Sequence, residues 1–249
     1  MKLRIILSAL LMCAVLCACS KQESSQQEYY QIVTDPPTEA VETEPNGAQR
    51  YVKTAKEESF EAEEKSGTKE KATYKLPKIT ADSKDAEKIN SEIIKKYEKD
   101  FETAQSEIDS GKALSVSELN YESYLTDIVL TIVITRTESD HTVSYSVYNY
   151  NVEKNKSLDN KGIAQYMKRD YDEIKSTVKS ALEDDYVSKF KYENFKKDYY
   201  INYEKTLSDD NIENSSLFFD NSGSFCAICK EFASVGKGEF NVKIKVSLE

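Results

Sequence analysis

Two cysteines near the C-terminus have the spacing of a redox or half-zinc motif. Cys226 and Cys229 are separated by Ala227 and Ile228. A reactive thiol in such a motif normally sits at a helix N-terminus, which lowers the pKa of the thiol. Here Phe225, Ala227 and Ile228 predict a β-strand, in which cysteines three apart point to opposite faces and lie about 10 Å apart. That distance is too long for a disulfide, so we expect two core cysteines. The redox alternative requires a bend or a helical turn at this place.

Histidine and carboxylate chemistry has little support in the sequence. The chain has one histidine, His141, whereas a zinc hydrolase needs several ligands that converge on one metal. No Gly-x-Ser-x-Gly motif is present to supply a serine nucleophile, and we expect His141 to be a polar loop residue at the start of a strand. The pairs Asp184-Asp185 and Asp209-Asp210 stand in no calcium-binding loop, so we expect solvated carboxylates there rather than calcium ligands or glycosidase acids. The sequence predicts no metal, no cofactor and no catalytic residue.

A further cysteine, Cys19, closes an apolar segment at the N-terminus. Lys2 and Arg4 precede the apolar run from Ile5 to Ala18. The run is shorter than a membrane span requires, and its layout is typical of a secretory signal peptide. An ordinary cleaved signal peptide and an uncleaved anchor helix are the alternatives for this segment.

The last four residues of this segment, Leu16-Cys17-Ala18-Cys19, resemble the lipobox of bacterial lipoproteins. Cys17 departs from the small or β-branched residue that is usual at its position. The resemblance implies a signal peptide over residues 1–18, cleavage before Cys19 and acylation of the Cys19 thiol by fatty acids such as palmitate. It also implies a lipid-anchored protein at the extracellular face of the cell membrane. Two or more acyl chains make such an anchor stable, because each buried methylene contributes about 0.8 kcal/mol.

The composition is acidic, with a formal net charge of −10. Loss of Lys2 and Arg4 with the signal peptide removes two positive charges and leaves −12. This charge argues against nucleic acid as a partner. It suits either a cationic partner or an acidic surface that serves only solubility. With Cys19 acylated, Cys226 and Cys229 are the only remaining pair in the mature chain, so the protein is not a disulfide scaffold.

Residues 19–72 are predicted to form an acidic, disordered tether. Their apolar residues are sparse and aperiodic, and Asp35-Pro36-Pro37 and the run Glu57 to Glu64 interrupt any regular pattern. Such a segment cannot bury enough surface to order itself. A flexible coil of about 50 residues has a typical end-to-end distance of about 40 Å. Part of Tyr51 to Phe60 is alternatively a short helix or an N-terminal strand.

The folded region is predicted over residues 73–249, as one domain or as two fused lobes at about 73–135 and 136–249. Its clearest helix runs from Asp82 to about Ile108, because apolar residues recur there at steps of three and four. Asp82 or Ser83 is the predicted N-cap.

Strands and further helices follow this helix. The run Ile128 to Ile134 is apolar on both faces and β-branched, which predicts a central buried strand. Thr142 to Glu153 predicts another strand, with a bulge near Val147-Tyr148 where the parity of its apolar residues changes. The other predicted segments are a strand at Leu114–Tyr124, helices at Asp159–Leu182 and Tyr186–Tyr200, and strands at Ser216–Phe219, Ser224–Phe232 and Phe240–Val246. This order predicts an α+β fold in which an antiparallel sheet packs against several helices, preceded by the disordered tether.

Two segments carry a second resemblance. The element order, the run Tyr148 to Leu158 and the run Leu217 to Phe225 are similar to a pair of domains found in two kinds of envelope protein. These are the extracellular region of the lysozyme-binding anti-sigma factor of Gram-positive bacteria and the N-terminal region of PdaC-type peptidoglycan deacetylases. Two segments depart from that pattern: Glu138 to Thr142 replaces a Gly-Gly-Ala-His-Gly loop, and Cys229 to Phe232 replaces a Pro-Tyr pair.

Taken together, these features predict an extracytoplasmic lipoprotein with a membrane anchor and a non-catalytic binding domain. The second resemblance implies a ligand of the cell envelope, either peptidoglycan glycan or a cationic lysozyme-like protein. An envelope enzyme of unrecognised chemistry, with its site in the cleft between sheet and helices, is the first alternative. A structural lipoprotein of a membrane complex is the second. A complete metal or triad set in space favours the enzyme, and an exposed aromatic-acidic patch favours binding.

Overall fold

The structure, a computed structural model, describes residues 47–63, 67, 69–193, 197–233 and 238–248. These residues form nine β-strands and five α-helices, which confirms the predicted α+β class. The predicted signal peptide (1–18), Cys19 and residues 20–46 of the predicted tether lie outside the described residues. In chain order the elements are β1 (Val52–Glu63), β2 (Lys69–Ile79), α1 (Lys84–Asp109), β3 (Val116–Thr126), β4 (Val129–Glu138), β5 (Val143–Asn151), β6 (Lys156–Leu158), α2 (Asn160–Tyr166), α3 (Tyr171–Phe190), α4 (Tyr199–Thr206), α5 (Asp209–Glu213), β7 (Ser216–Phe219), β8 (Phe225–Phe232) and β9 (Glu239–Lys245).

The larger of two sheets has six strands in the order β1-β2-β3-β4-β5-β6. All neighbouring pairs in it are antiparallel except β2 and β3, which run parallel with Tyr74 opposite Leu119. The parallel pair follows from its connection, because α1 carries the chain back to the end of the sheet at which β2 began. The predicted antiparallel sheet is thus antiparallel in every pair but this one.

Helix α1 covers one face of the six-stranded sheet. Ser83 caps it, since its side-chain oxygen accepts a hydrogen bond from Ala86 N at 3.1 Å. Its buried stripe packs into the same hydrophobic cluster as Leu130 and Ile132 of β4. The predicted helix and its cap are therefore confirmed. The buried residues of the stripe are Ala86, Ile89, Ile93, Tyr97, Phe101 and Ala104.

The second sheet has three strands in the order β7-β8-β9 and is covered on both faces. Cys226 of β8 packs with Tyr124 and Val133 of the larger sheet. Cys229 packs on the other side with Val178 of α3. The layers are therefore α1, the six-stranded sheet, the three-stranded sheet and the helices α2, α3 and α5. Strand β4 belongs to the six-stranded sheet, which has α1 on one face and the three-stranded sheet on the other. Both faces of β4 are therefore buried, which explains why its sequence is apolar on both.

The tether prediction is wrong for the described residues before 73. A 3-10 turn at Ala48–Arg50 opens the fold, and β1 pairs with β2 along its length. The N-terminal strand that was the alternative for Tyr51 to Phe60 is the correct interpretation. The cause of the error is the composition of β1, whose only buried residues are Val52, Phe60 and Ala62. The other positions of the strand are exposed or half-buried and largely charged, so the sequence resembles a disordered segment.

Two finer predictions about the folded region are also wrong. A division into lobes at residues 135 and 136 falls inside β4, which pairs with β3 on one side and β5 on the other. The predicted bulge near Val147-Tyr148 is absent, because the register of β4 and β5 is continuous through both residues. The parity change has another cause. Tyr145 and Val147 pack toward the second sheet, whereas Tyr148 packs toward α1.

Among the helices that the structure describes, none combines the length and the apolar character that a membrane span requires.

Candidate binding surface

Large apolar side chains reach solvent in one short segment of the described chain. Val187 is 40% exposed, Tyr192 is 69% exposed, Tyr200 is 64% exposed and Ile201 is 61% exposed. Within the described ranges these four are the exposed large hydrophobic residues, and they lie on the end of α3, the 3-10 turn at Lys191–Glu193 and α4. Single exposed apolar residues are common, whereas several in one segment make that segment a candidate interaction surface.

Tyr200 belongs to a group of five contacting rings, Tyr186, Phe190, Tyr199, Tyr200 and Tyr203, which we call the tyrosine cluster. Tyr186 is fully buried and contacts Phe190, Tyr199 and Tyr203 at ring-centroid distances of 4.8, 5.8 and 5.8 Å. Tyr199 stacks on Tyr203 at 6.2 Å and meets Tyr200 edge-on at 5.3 Å. These offset and edge-on contacts hold the outer rings in place over a buried one.

Helix α4, which carries three of these rings, is fixed to the second sheet. Phe232 N donates to Thr206 Oγ1 at 3.0 Å. Asn211 Nδ2 donates to Thr206 O at 2.6 Å and to Lys230 O at 2.8 Å. Lys205 Nζ lies 3.9 Å from the centre of the Phe232 ring. The surface that α4 presents is therefore formed in the free protein, which reduces the ordering cost of binding.

Carboxylates lie beside the rings. Tyr203 OH donates to Glu183 Oε1, and this hydrogen bond raises the pKa of Tyr203 to about 12. Asp184 and Glu204 are exposed next to these two residues in the sequence. The segment therefore combines aromatic surface with acceptors for hydrogen-bond donors, the aromatic-acidic combination expected of a binding surface.

A buried carboxylate of β8 pairs with a lysine at the end of α3. Glu231 of β8 has a side chain that is 2% exposed, and its Oε2 lies 3.1 Å from Lys189 Nζ. Lys189 also contacts Asp185 Oδ2 at 2.6 Å. Glu231 Oε1 has no hydrogen-bond partner among the residues that the structure describes. Burial raises the pKa of Glu231 to about 7, with Lys189 acting against this shift and Asp185 adding to it.

The two cysteines of the Cys-x-x-Cys motif are confirmed as core residues. Both are buried free thiols, and they belong to clusters on opposite faces of β8. Burial raises the pKa of Cys226 to about 11 and the pKa of Cys229 to about 12. Both shifts move the thiols away from the pKa range of reactive cysteines.

The other residues singled out in the sequence are spread over the fold. His141 is exposed in the turn before β5, with φ of 67°, as the loop interpretation predicts. Asp209 opens α5 and pairs with Lys179 at 3.1 Å. Asp185 departs from the prediction of a solvated carboxylate, because it pairs with Lys189. Within the described ranges no group of three or more His, Cys, Asp or Glu side chains is placed to hold a metal.

A serine with two polar neighbours, which the sequence did not suggest, lies between α1 and β5. Lys96 Nζ donates to Ser146 Oγ at 2.5 Å and Tyr97 OH donates to it at 2.7 Å. Burial lowers the pKa of Lys96. These hydrogen bonds link α1 to β5.

Sequence signals for the binding surface were present but weak. Tyr186 and Phe190, like Tyr199 and Tyr203, are four residues apart and thus share a helix face. Glu231 shares its strand parity with the buried Cys229. Neither signal separates a binding surface from ordinary packing without the fold. The chain matches no protein-family model and no curated protein.

Proposed function

We propose that this chain is a lipid-anchored extracytoplasmic protein whose folded region binds a cell-envelope ligand without converting it. The observation that carries the binding role is the exposed surface over the tyrosine cluster. Tyrosine supplies large, amphipathic contact area at a low entropic cost, because it has few rotatable bonds. Interfaces are enriched in it for that reason.

The surface over the tyrosine cluster is already formed in the free protein, which supports a binding role rather than a purely structural one. Tyr186 is buried beneath Tyr199 and Tyr203, so the outer rings do not need to be ordered when a ligand arrives. Exposed Tyr200 and Ile201 would bury most of their apolar area only against another molecule. Each fully buried side chain of this size contributes about 1.5–3 kcal/mol. Side chains of this kind are the usual energetic centres of interfaces.

Two ligand classes follow from the envelope resemblance and the charge. The carboxylates near the rings and the net charge of −10 suit a cationic, lysozyme-like protein. Wall glycan also suits this surface, because the aromatic rings can contact sugar faces and the carboxylates can accept hydrogen bonds from sugar hydroxyl groups. The lipobox resemblance of Leu16 to Cys19 supports the membrane location, since an anchored chain meets ligands of both classes outside the membrane.

The test compares binding of the full chain, solubilised from membranes, to sedimented peptidoglycan and to immobilised lysozyme. The double variant Tyr200→Ala/Ile201→Ala removes exposed area and leaves the buried Tyr186 in place. We expect it to weaken binding of the true ligand about tenfold or more. Glu98→Ala/Lys99→Ala, on the exposed side of α1, is the matched control and should bind normally. Equal binding by both variants would exclude this surface, and release of cleaved glycan by the wild-type chain would exclude the non-catalytic role.

A further inference from the structure

Strand β1 forms one edge of the six-stranded sheet. It is 12 residues long and pairs with β2 on one side. In the described part of the chain no strand pairs with its other side. From Lys56 to Glu63, beyond a register shift between Thr54 and Lys56, every second residue turns its backbone N–H and C=O groups outward, where they can pair with another chain.

A groove runs beside this edge, between β1 and α1. Lys56 and Glu58 of β1 form one wall, and Glu102, Gln105 and Asp109 of α1 contribute to the other. A strand laid along β1 would place every second side chain in this groove, because strand side chains alternate between the two faces of a sheet. The place therefore offers main-chain partners and a pocket for side chains together, as strand-adding recognition sites do.

The floor of the groove already holds a cation. Lys56 Nζ lies 4.1 Å from the centre of the Phe101 ring, within the range of a cation–π contact. Lys56 is half-buried and reaches this position from the edge strand itself. A lysine or arginine of an incoming strand could take the same position over Phe101 when Lys56 turns outward.

The charges of the hairpin differ between its two faces. On the face away from α1, Glu57, Glu61 and Glu63 pair with lysines of β2 at 3.1, 3.2 and 3.6 Å. On the groove side, Glu58, Glu102 and Asp109 make no ion pair with any residue that the structure describes. Three carboxylates thus face one ammonium group in the groove, and the charge complements a cationic ligand.

We propose that the groove between β1 and α1 binds an extended cationic segment of another polypeptide by strand addition to β1. Main-chain hydrogen bonds to the edge supply affinity, and lysine or arginine at alternate positions supplies specificity through Glu58, Glu102, Asp109 and the Phe101 ring. This site is separate from the tyrosine cluster and does not depend on the function proposed for it.

The probe is a capped octapeptide of alternating Thr and Lys, titrated against the full chain solubilised in detergent. Fluorescence anisotropy gives the dissociation constant, and hydrogen exchange reports protection of the β1 amides. Two control peptides separate the contributions: alternating Thr and Glu reverses the charge, and N-methylation of every second amide keeps the charge but blocks main-chain pairing. We expect binding and β1 protection with the Thr-Lys peptide alone. Absence of binding, or equal binding of the N-methylated peptide, would overturn the proposal.

Variants test the groove itself. Glu102→Lys/Asp109→Lys should weaken the Thr-Lys peptide about tenfold or more. Glu92→Lys, on the part of α1 near Tyr148 of β5, makes half of that charge change away from the groove and should have little effect. Lys56→Met should tighten binding, since it removes the competing cation, whereas Lys53→Met on the same strand should not. If Glu92→Lys weakens peptide binding equally, the effect comes from net charge alone and the proposed site is rejected.

Discussion

Lys189 Nζ lies 3.1 Å from Glu231 Oε2 and also pairs with the carboxylate of Asp185. One ammonium group therefore balances two carboxylates, and the side chain of Glu231 is 98% buried. The other carboxylate oxygen of Glu231 has no hydrogen-bond partner within the described part of the chain. A buried charge with incomplete compensation is costly. Burial therefore raises the pKa of Glu231 to about 7, so the folded protein holds a proton there that the unfolded chain releases near its ordinary value of 4.5.

The pH dependence of stability follows from this difference. Between the ordinary pKa of 4.5 and about 7, the folded state binds more protons at Glu231 than the unfolded state does. The stability contributed by the raised pKa is therefore present at low pH and is lost as the pH rises through this window. Glu231→Gln should flatten that slope and increase the free energy of unfolding at pH 8, because the amide remains neutral. Urea unfolding of both proteins between pH 5 and pH 8 measures the free energy of unfolding and its slope with pH.

The control for this prediction is Glu239→Gln on the neighbouring strand β9. Glu239 is about half exposed and pairs with Lys230 at 3.4 Å. Exposed pairs of this kind contribute little, so the control should keep the wild-type slope. A Glu231→Gln protein that is less stable than wild type at pH 8 would mean that the charged pair with Lys189 stabilises the fold.

A second prediction concerns the packing of α1 on the sheet. Ile93 is fully buried in the middle of the helix stripe. Ile93→Ala should lower the free energy of unfolding by about 2–4 kcal/mol, through lost burial and the cavity it leaves. The neighbouring Glu92 is exposed, so Glu92→Ala should change stability by less than about 0.5 kcal/mol. Chemical unfolding measures the free energy of unfolding of both variants, and the comparison holds when their m-values equal that of the wild type.

Periodicity was sufficient to predict α1 and β4 from the sequence. Helix α1 repeats buried residues at steps of three and four, and β4 is β-branched and apolar on both faces. Both signals are local and strong. The fold class followed from the order of such elements, whereas the parallel pairing of β2 with β3 departs from the predicted antiparallel sheet.

The rest depended on partners that are distant in the sequence. Strand β1 resembles a disordered segment because its charges are matched by β2 only once the hairpin forms, as in the pair Glu61–Lys71. The change of parity in β5 depends on which layer covers each part of the strand. Glu231 is one of 44 acidic residues, and its burial depends on the helices α3, α4 and α5 that pack on β8. Sequence patterns carry no information of this kind.

A third prediction tests the corrected start of the folded region. A chain that begins at residue 73 lacks β1 and the first residues of β2. It would uncover Phe101 and Tyr74, whose rings contact Phe60 at 6.1 and 4.8 Å. We expect its melting temperature to fall by about 10 °C or more relative to a chain that begins at residue 47. Equal melting temperatures would show that β1 adds nothing to stability.

The last prediction concerns Cys19, which lies outside the described residues. The lipobox resemblance makes its thiol the acceptor of the lipid, and the anchor is stable only when acyl chains enter the bilayer. Cys19→Ala should therefore abolish labelling by a fatty-acid probe. The protein should then appear in the medium or persist as an uncleaved precursor. Cys17→Ala is the matched control, since it changes a neighbouring thiol and brings the motif closer to the usual lipobox. Labelling that persists in Cys19→Ala, or that is lost in Cys17→Ala alone, would assign the lipid to another residue.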